Sequence, residues 1–280
     1  MPQLKVALAG NGPFADIVAK ALLETKSFDV VVVGRKEKDT VAGASTKIVP
    51  AWDVPGLTEA FAGVDYVIST LGMFSLADPQ FVVIHAAKAA GVKGIVLSEY
   101  GVPVTAYPKS MLGGLKVPAR ELVKQVGLDW IALINGFFLD YPFSAFSPDD
   151  ATKKALVIGS PEAKVSLASR EDVAAYLAQV VLRFDEFKSG EVQVSAATVS
   201  VREVIAEIGK AKGITYEIVS EPVGEAVPKF LANTQDVFRL IGIAAAQGFA
   251  LNDNDVTAKF PSVHPKGLDY WIPKLYGKQE

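Results

Sequence analysis

Cysteine is absent from the chain. That excludes disulfides, thiolate nucleophiles and cysteine-held zinc together. Histidine is almost as scarce: His85 and His264 are the only two. A histidine-built metal centre is therefore excluded, no metal site is expected, and neither lone imidazole is given a catalytic role. Charge of one sign is missing as well, since 28 basic residues face 31 acidic ones for a net charge of −3. Without a dominant basic surface, nucleic acid is not an expected partner. No apolar run approaches the roughly 18 residues of a membrane span. The first residues lead straight into an apolar strand followed by glycines, which does not read as a signal peptide. These absences point to a cytoplasmic protein whose partner is a small molecule.

What is present suits a globular enzyme-sized chain. Its 280 residues are 50% hydrophobic and 21% charged, enough for a full core shared by a main domain and a smaller one. Over residues 1–135, short and nearly continuous apolar runs alternate with helix-like segments. Strands are expected at Leu4–Ala9, Val30–Val33, Lys47–Val49, Val64–Ser69, Gly94–Leu97 and Asp129–Ile134. Helices are expected at Ala15–Glu24, Leu57–Phe61, Gln80–Ala90 and Pro118–Val126. Apolar strands of this kind fit a parallel sheet covered on both faces, and the alternation is that of a doubly wound, Rossmann-type α/β fold.

After Gly136 the rhythm breaks into the aromatic-rich, proline-containing "FFLDYPFSAFSPDD". Strand, turn, strand and helix follow in "ALVIGSPEAKVSLASREDVAAYLAQVVL", with Ser169 as helix N-cap and Asp172 at N3. "EVQVSA", a helix Val201–Ala211 and "TYEIVS" complete the pattern. Residues 136–280 therefore read as a smaller α+β substrate lobe, which shares segments such as 161–182 with the first domain.

The candidate cofactor site begins at "ALAGNGPFADIVAKALLE", residues 7–24. Gly10 permits a tight turn, Gly12 lets backbone approach a pyrophosphate, and Ala15 allows close helix–strand packing. Asn11, Pro13 and Phe14 complete the turn, with Pro13 favourable at the first helical position. The helix N-terminus behind them attracts an anion. An NAD site usually carries an acidic residue at the end of the second strand. Here "DVVVVGRKEKDT" places Arg35 and Lys36 there, which suits a 2′-phosphate and hence NADP(H). Farther along, "VDYVISTLGMF" ends on Ser69, Thr70, Leu71 and Gly72, with Met73 or Phe74 placed to cover a nicotinamide. "GIVLSEYG" brings Ser98, Glu99 and Tyr100 to the same sheet edge.

These pieces, in this order, resemble the NmrA-like and isoflavone-reductase-like group of atypical short-chain dehydrogenases. The resemblance runs through the glycine turn, "VVVGRK", "VDYVISTLG", "HAAKAAGVKGIVLSEYG", "LKVPARELVKQVGLDWIALINGFF" and "VSLASREDVAAYLAQVVL", most of residues 4 to 182. It implies NADP(H) binding, a substrate cleft between the lobes and, in the reductase branch, a catalytic lysine that maps onto Lys116. Two features depart from the group's pattern. The turn is one residue shorter than G-x-x-G-x-x-G and ends on Ala15. Pro118 follows Lys116 by two residues, which is tolerable only in a first turn, so Lys116 is expected at the very start of its helix. The Tyr-x-x-x-Lys pair of typical short-chain dehydrogenases occurs only as Tyr270 and Lys274, interrupted by Pro273, and is read as chance.

The leading expectation is a reductase that transfers hydride from NADPH to a small aromatic or conjugated substrate, at C=C, C=O or C=N. Lys116 would stabilise the resulting charge or supply a proton. Phe137, Phe138, Tyr141, Phe143 and Phe146 would line an apolar pocket or pack the lobes. Two alternatives stay open: an NmrA-like dinucleotide-binding redox sensor without turnover, and a cofactor-dependent isomerase. The oligomeric state, a homodimer included, is not fixed by the sequence.

Overall fold

The computed structural model describes residues 2–72, 75, 78–103, 112–140, 148–234 and 236–277. Met73, Phe74, Tyr141, Phe143 and Phe146, expected above near a nicotinamide or an apolar pocket, lie outside the described residues. The chain begins with β1 (Leu4–Ala9), α1 (Pro13–Glu24), β2 (Phe28–Gly34), β3 (Ser45–Ile48) and α2 (Val54–Ala60). Then come β4 (Tyr66–Ser69), α3 (Asp78–Ala89), β5 (Gly94–Leu97), α4 (Leu112–Gln125), β6 (Asp129–Ile134) and β7 (Phe137–Phe138). Next are β8 (Lys154–Ile158), β9 (Lys164–Ala168), α5 (Arg170–Leu182), α6 (Phe184–Phe187), β10 (Gly190–Gln193) and β11 (Ala197–Ser200). The remainder holds α7 (Val201–Lys212), β12 (Glu217–Glu221), α8 (Val223–Ala232), α9 (Val237–Ala246) and α10 (Leu268–Tyr276).

Among the described residues, seven strands form one sheet in the order β10-β6-β5-β4-β1-β2-β3. The pairs from β6 to β3 are all parallel. β4 and β5 are buried at every position, β6 at all but its first, and β1 from Val6 onward, as expected for strands covered on both faces. Helix α1 shows how the covering works. It turns Ala15, Val18, Ala19 and Leu22 inward, the i, i+3, i+4, i+7 spacing of one helix face. Burying a side chain such as Leu22 contributes about 1.5–3 kcal/mol. The strand order reverses between β1 and β4, and in such sheets ligands bind beyond the carboxyl ends of the strands at that switch.

The chain divides into two compact units. The first holds this sheet and comprises the stretch through Tyr100, Leu112–Ile134 and Val173–Val192. The second includes Asn135–Asp172 and the chain from Gln193 onward. It contains the sheet β11-β9-β7 and the parallel pair β8–β12. Its core joins Val165 and Leu167 of β9 to Val204, Ile205 and Ile208 of α7 and to Trp271 and Ile272 of α10. Helix α7 starts in a full capping box between Ser200 and Glu203 and stops at left-handed Gly213, both helix-end signals. Ser169 and Asp172 cap α5 reciprocally, with each side chain accepting from the other's backbone N–H.

Two sequence expectations are corrected here. "EVQVSA", assigned to the smaller lobe, supplies β10, which extends the large sheet beside β6. A short, isolated β-rich run carries no information on which sheet it joins. Helix α4 begins at Leu112, so Pro118 is interior and Lys116 is not at its start. An interior proline removes one helix hydrogen bond and costs about 3 kcal/mol. The helix continues because Ala119 and Val123 are fully buried and Arg120 is ion-paired, while Pro118 stays on the exposed face.

Candidate active site

The site is assembled where β1, β4 and β5 end. Gly10 follows β1 with φ +123°, and a Cβ there would sit 2.8 Å from Thr70 Oγ1. Both conformation and space therefore demand glycine. Thr70 bonds back to the turn, its N–H donating to Ala9 O at 3.0 Å and its hydroxyl lying 3.3 Å from Ala9 O and Gly10 O. Gly12 is the N-cap of α1, with Pro13 behind it, and no side chain caps this helix. A Cβ on Gly12 would meet no atom within 4 Å. Backbone conformation does not require glycine there, because φ is −74° and ψ 176°. Space in front of a helix N-terminus is what an incoming phosphate needs.

The segment after β2 is tied to this turn. Asn11 Nδ2 donates to Lys36 O at 2.9 Å, and Lys38 Nζ donates to Asn11 O at 3.2 Å. Lys38 also pairs with Asp16 in the first turn of α1. That pairing offsets a carboxylate that would otherwise oppose an anion at the helix end. Gly34 accommodates the brace, since a Cβ there would overlap the Asn11 side chain. Arg35 and Lys36 are exposed, and neither makes an ion pair among the described residues. Two exposed cations on a braced loop beside a glycine turn have the chemistry a 2′-phosphate needs. The residues present therefore fit NADP(H).

At the next strand ends, Ser98 Oγ donates to Leu71 O at 2.7 Å and so links β5 to the stretch Thr70–Gly72. Tyr100 donates to Ser69 O at 3.1 Å, and its ring meets Phe14 edge-on with centroids 4.8 Å apart. Burial pushes the Tyr100 phenol well above its ordinary range, so it keeps the proton it donates to Ser69 O. Lys116 is 5% exposed and donates from Nζ to the Glu99 backbone oxygen at 2.9 Å. This seats its ammonium at the carboxyl edge of the sheet, on the same side as the glycine turn. Burial lowers the Lys116 pKa to about 8; Glu99 and Glu191 oppose that shift, and Arg120 adds to it.

The Glu99 carboxylate, 2% exposed, is held by Arg120, which also reaches Glu191 at 2.6 Å. Glu99 thus turns its backbone oxygen to Lys116 and its carboxylate to Arg120. Arg120 and Glu191 were missed in the sequence. The spacing of Lys116 and Arg120 was visible, since residues four apart share a helix face. Nothing local marks Glu191, which arrives from a distant strand. No group of three or more acidic or histidine residues suited to a metal ion occurs among the described residues. No described helix is long and apolar enough to cross a membrane.

A model of the NmrA-like family matches residues 7–255. An isoflavone reductase homologue from Zea mays is 27% identical over 249 residues, 80% of this chain and 79% of that protein. A phenylcoumaran benzylic ether reductase from Ginkgo biloba is 30% identical over 198 residues, 65% of this chain and 62% of its own. Among solved structures, an NADPH-dependent quinone oxidoreductase from Escherichia coli in complex with NADPH aligns with a TM-score of 0.77 at 20% identity. That alignment covers 97% of this chain and 100% of the other. A leucoanthocyanidin reductase–NADPH complex from Vitis vinifera aligns with a TM-score of 0.80 at 18% identity, covering 97% and 99%.

Proposed function

The chain belongs to the NmrA-like family, and we propose that within it this protein is an NADPH-dependent reductase of a small aromatic or conjugated molecule. The observation that carries the reading is Lys116: a buried ammonium on the Glu99 carbonyl, at the sheet edge that also holds the glycine turn. The N-terminus of α1 and the backbone of Gly10–Phe14 would hold the pyrophosphate, and Arg35 and Lys36 would hold the 2′-phosphate. Thr70, Leu71, Gly72 and Ser98 would form the wall beside the rest of the dinucleotide. Bound there, NADPH supplies a hydride. Lys116 places positive charge beside the substrate atom that becomes electron-rich and releases a proton to it from Nζ, then regains one from solvent. A lysine whose proton comes off near pH 8 is matched to that task at neutral pH. The named substrates of the relatives, quinones and benzylic ethers among them, support an unsaturated aromatic partner.

Calorimetric titration with NADPH and NADH tests the cofactor half of this reading. NADPH should bind at least about tenfold more tightly, since one charge-assisted phosphate contact contributes ~1.5–3 kcal/mol. Arg35→Asp should erase the difference. Equal affinity in the unaltered protein overturns the assignment. Oxidation of NADPH with a panel of quinones, conjugated carbonyls, imines and benzylic ethers tests the other half. Tight binding with no turnover across the panel would leave a redox sensor.

A further inference from the structure

Lys116 shares its buried surroundings with three charged side chains that the chemistry above does not use. Glu99 lies just beyond β5, Arg120 one helical turn past Lys116 on α4, and Glu191 on β10. Lys116 and Arg120 both reach Glu99, but they hold different atoms. The Lys116 ammonium takes the backbone oxygen at 2.9 Å. The Arg120 guanidinium takes the carboxylate, Nε lying 2.8 and 2.9 Å from its two oxygens and Nη2 2.5 Å from one of them. Its remaining nitrogen, Nη1, turns to Glu191 at 2.6 Å, and its carbon centre stands 5.5 Å from the Trp130 ring centroid. The guanidinium is therefore fixed on three sides.

We propose that Arg120 is a positioning residue: its fork occupies the Glu99 carboxylate, so the Lys116 ammonium rests on the Glu99 carbonyl and is kept off that carboxylate. The proposal rests on the reading of Lys116 as the proton-handling group. A buried carboxylate in direct contact would favour the charged lysine strongly and raise its pKa. With the carboxylate engaged by a planar, always-charged partner, burial becomes the dominant influence on Lys116 and brings it to about 8. Among the described residues, the charged groups acting on Lys116 are Glu99, Arg120 and Glu191.

The geometry of the fork, not its charge alone, does this work, which separates the proposal from simple charge counting. Arg120→Lys keeps the positive charge but cannot engage both carboxylate oxygens in one plane. It should free the carboxylate to swing toward Lys116, whereas charge counting expects no change. Arg120→Gln should have a larger effect in the same direction. Glu99→Gln removes the competing carboxylate and should act in the opposite direction.

The test uses the protein without cofactor or substrate. Lysine is labelled with carbon-13 at Cε, the Lys116 signal is assigned by its loss in Lys116→Gln, and its titration is followed by NMR. In the unaltered chain the midpoint should fall near pH 8. It should rise by about one unit in Arg120→Lys and by more in Arg120→Gln, and fall in Glu99→Gln. If Arg120→Gln does not fold, the lysine variant carries the test. An unmoved midpoint in Arg120→Lys overturns the proposal even if Lys116→Ala abolishes turnover. The expected shifts support it even if Lys116→Ala stays fully active, in which case only the catalytic reading falls. Where turnover is measurable, the alkaline limb of kcat should move with the NMR midpoint.

Discussion

The two ends of the candidate site handle positive charge in opposite ways. Around the glycine turn, Arg35 and Lys36 stand exposed on a loop that hydrogen bonds hold in place, with no carboxylate bound to either among the described residues. Around Lys116 the charges are buried or partly buried: the ammonium rests on a backbone oxygen, and Arg120 joins Glu99 to Glu191. Exposed cations keep their full hydration and charge until an anion arrives, which in the proposed reading suits Arg35 and Lys36 to affinity and selectivity. Buried cations must be compensated within the fold, and in the proposed reading Lys116 is the group whose proton they tune. Substitution should therefore be mild for stability at the first end and severe at the second.

The largest expected effect follows directly. Arg120→Ala leaves the Glu99 carboxylate buried without its partner, a loss of about 3–5 kcal/mol. Arg35→Ala should change stability by no more than roughly 0.5 kcal/mol. Urea unfolding of the two variants measures both, and equal effects would erase the contrast. Gly12→Val sharpens it from the other side. Its backbone angles suit any residue and its Cβ meets nothing, so the fold should persist while the side chain fills the path of the pyrophosphate. Thermal shift with excess NADPH should then show no rise, where a ligand at ~100 times its dissociation constant adds about 2.7 kcal/mol. The smallest effect belongs to Asn11→Ala. Removing the brace on Lys36 forfeits one hydrogen bond worth ~0.5–1.5 kcal/mol. The preference for NADPH over NADH, read by calorimetry, should narrow about fivefold with no loss of fold.

The contrast also explains what could be read from the sequence. The glycine turn, the strand ends and the Arg35–Lys36 pair are local: each lies within a few residues of the strand that positions it, and apolar patterning marks those strands. Strands β1, β5 and β6 were placed to the residue, because continuous apolar runs flanked by turns have few alternatives. The buried cluster is not local. It joins β5, α4 and β10, and the last of these was assigned to the smaller lobe because a four-residue strand does not encode its neighbour. Pro118 misled for a related reason. Local propensity argues for a helix start there, but the burial of Ala119 and Val123 and the Arg120 ion pairs outweigh it.

The central claim is that one end of the site binds and the other reacts, and Lys116→Ala separates them most directly. NADPH affinity and turnover with an accepted substrate should be measured on the same preparation of this variant and of the unaltered protein. Loss of an interaction made mainly in the transition state lowers kcat and leaves binding alone. A single electrostatic contact of this kind is worth roughly 3–4 kcal/mol, about 10²–10³ in rate. The account expects an NADPH dissociation constant within about twofold of the original and a kcat at least about tenfold lower. Full turnover by Lys116→Ala would contradict it.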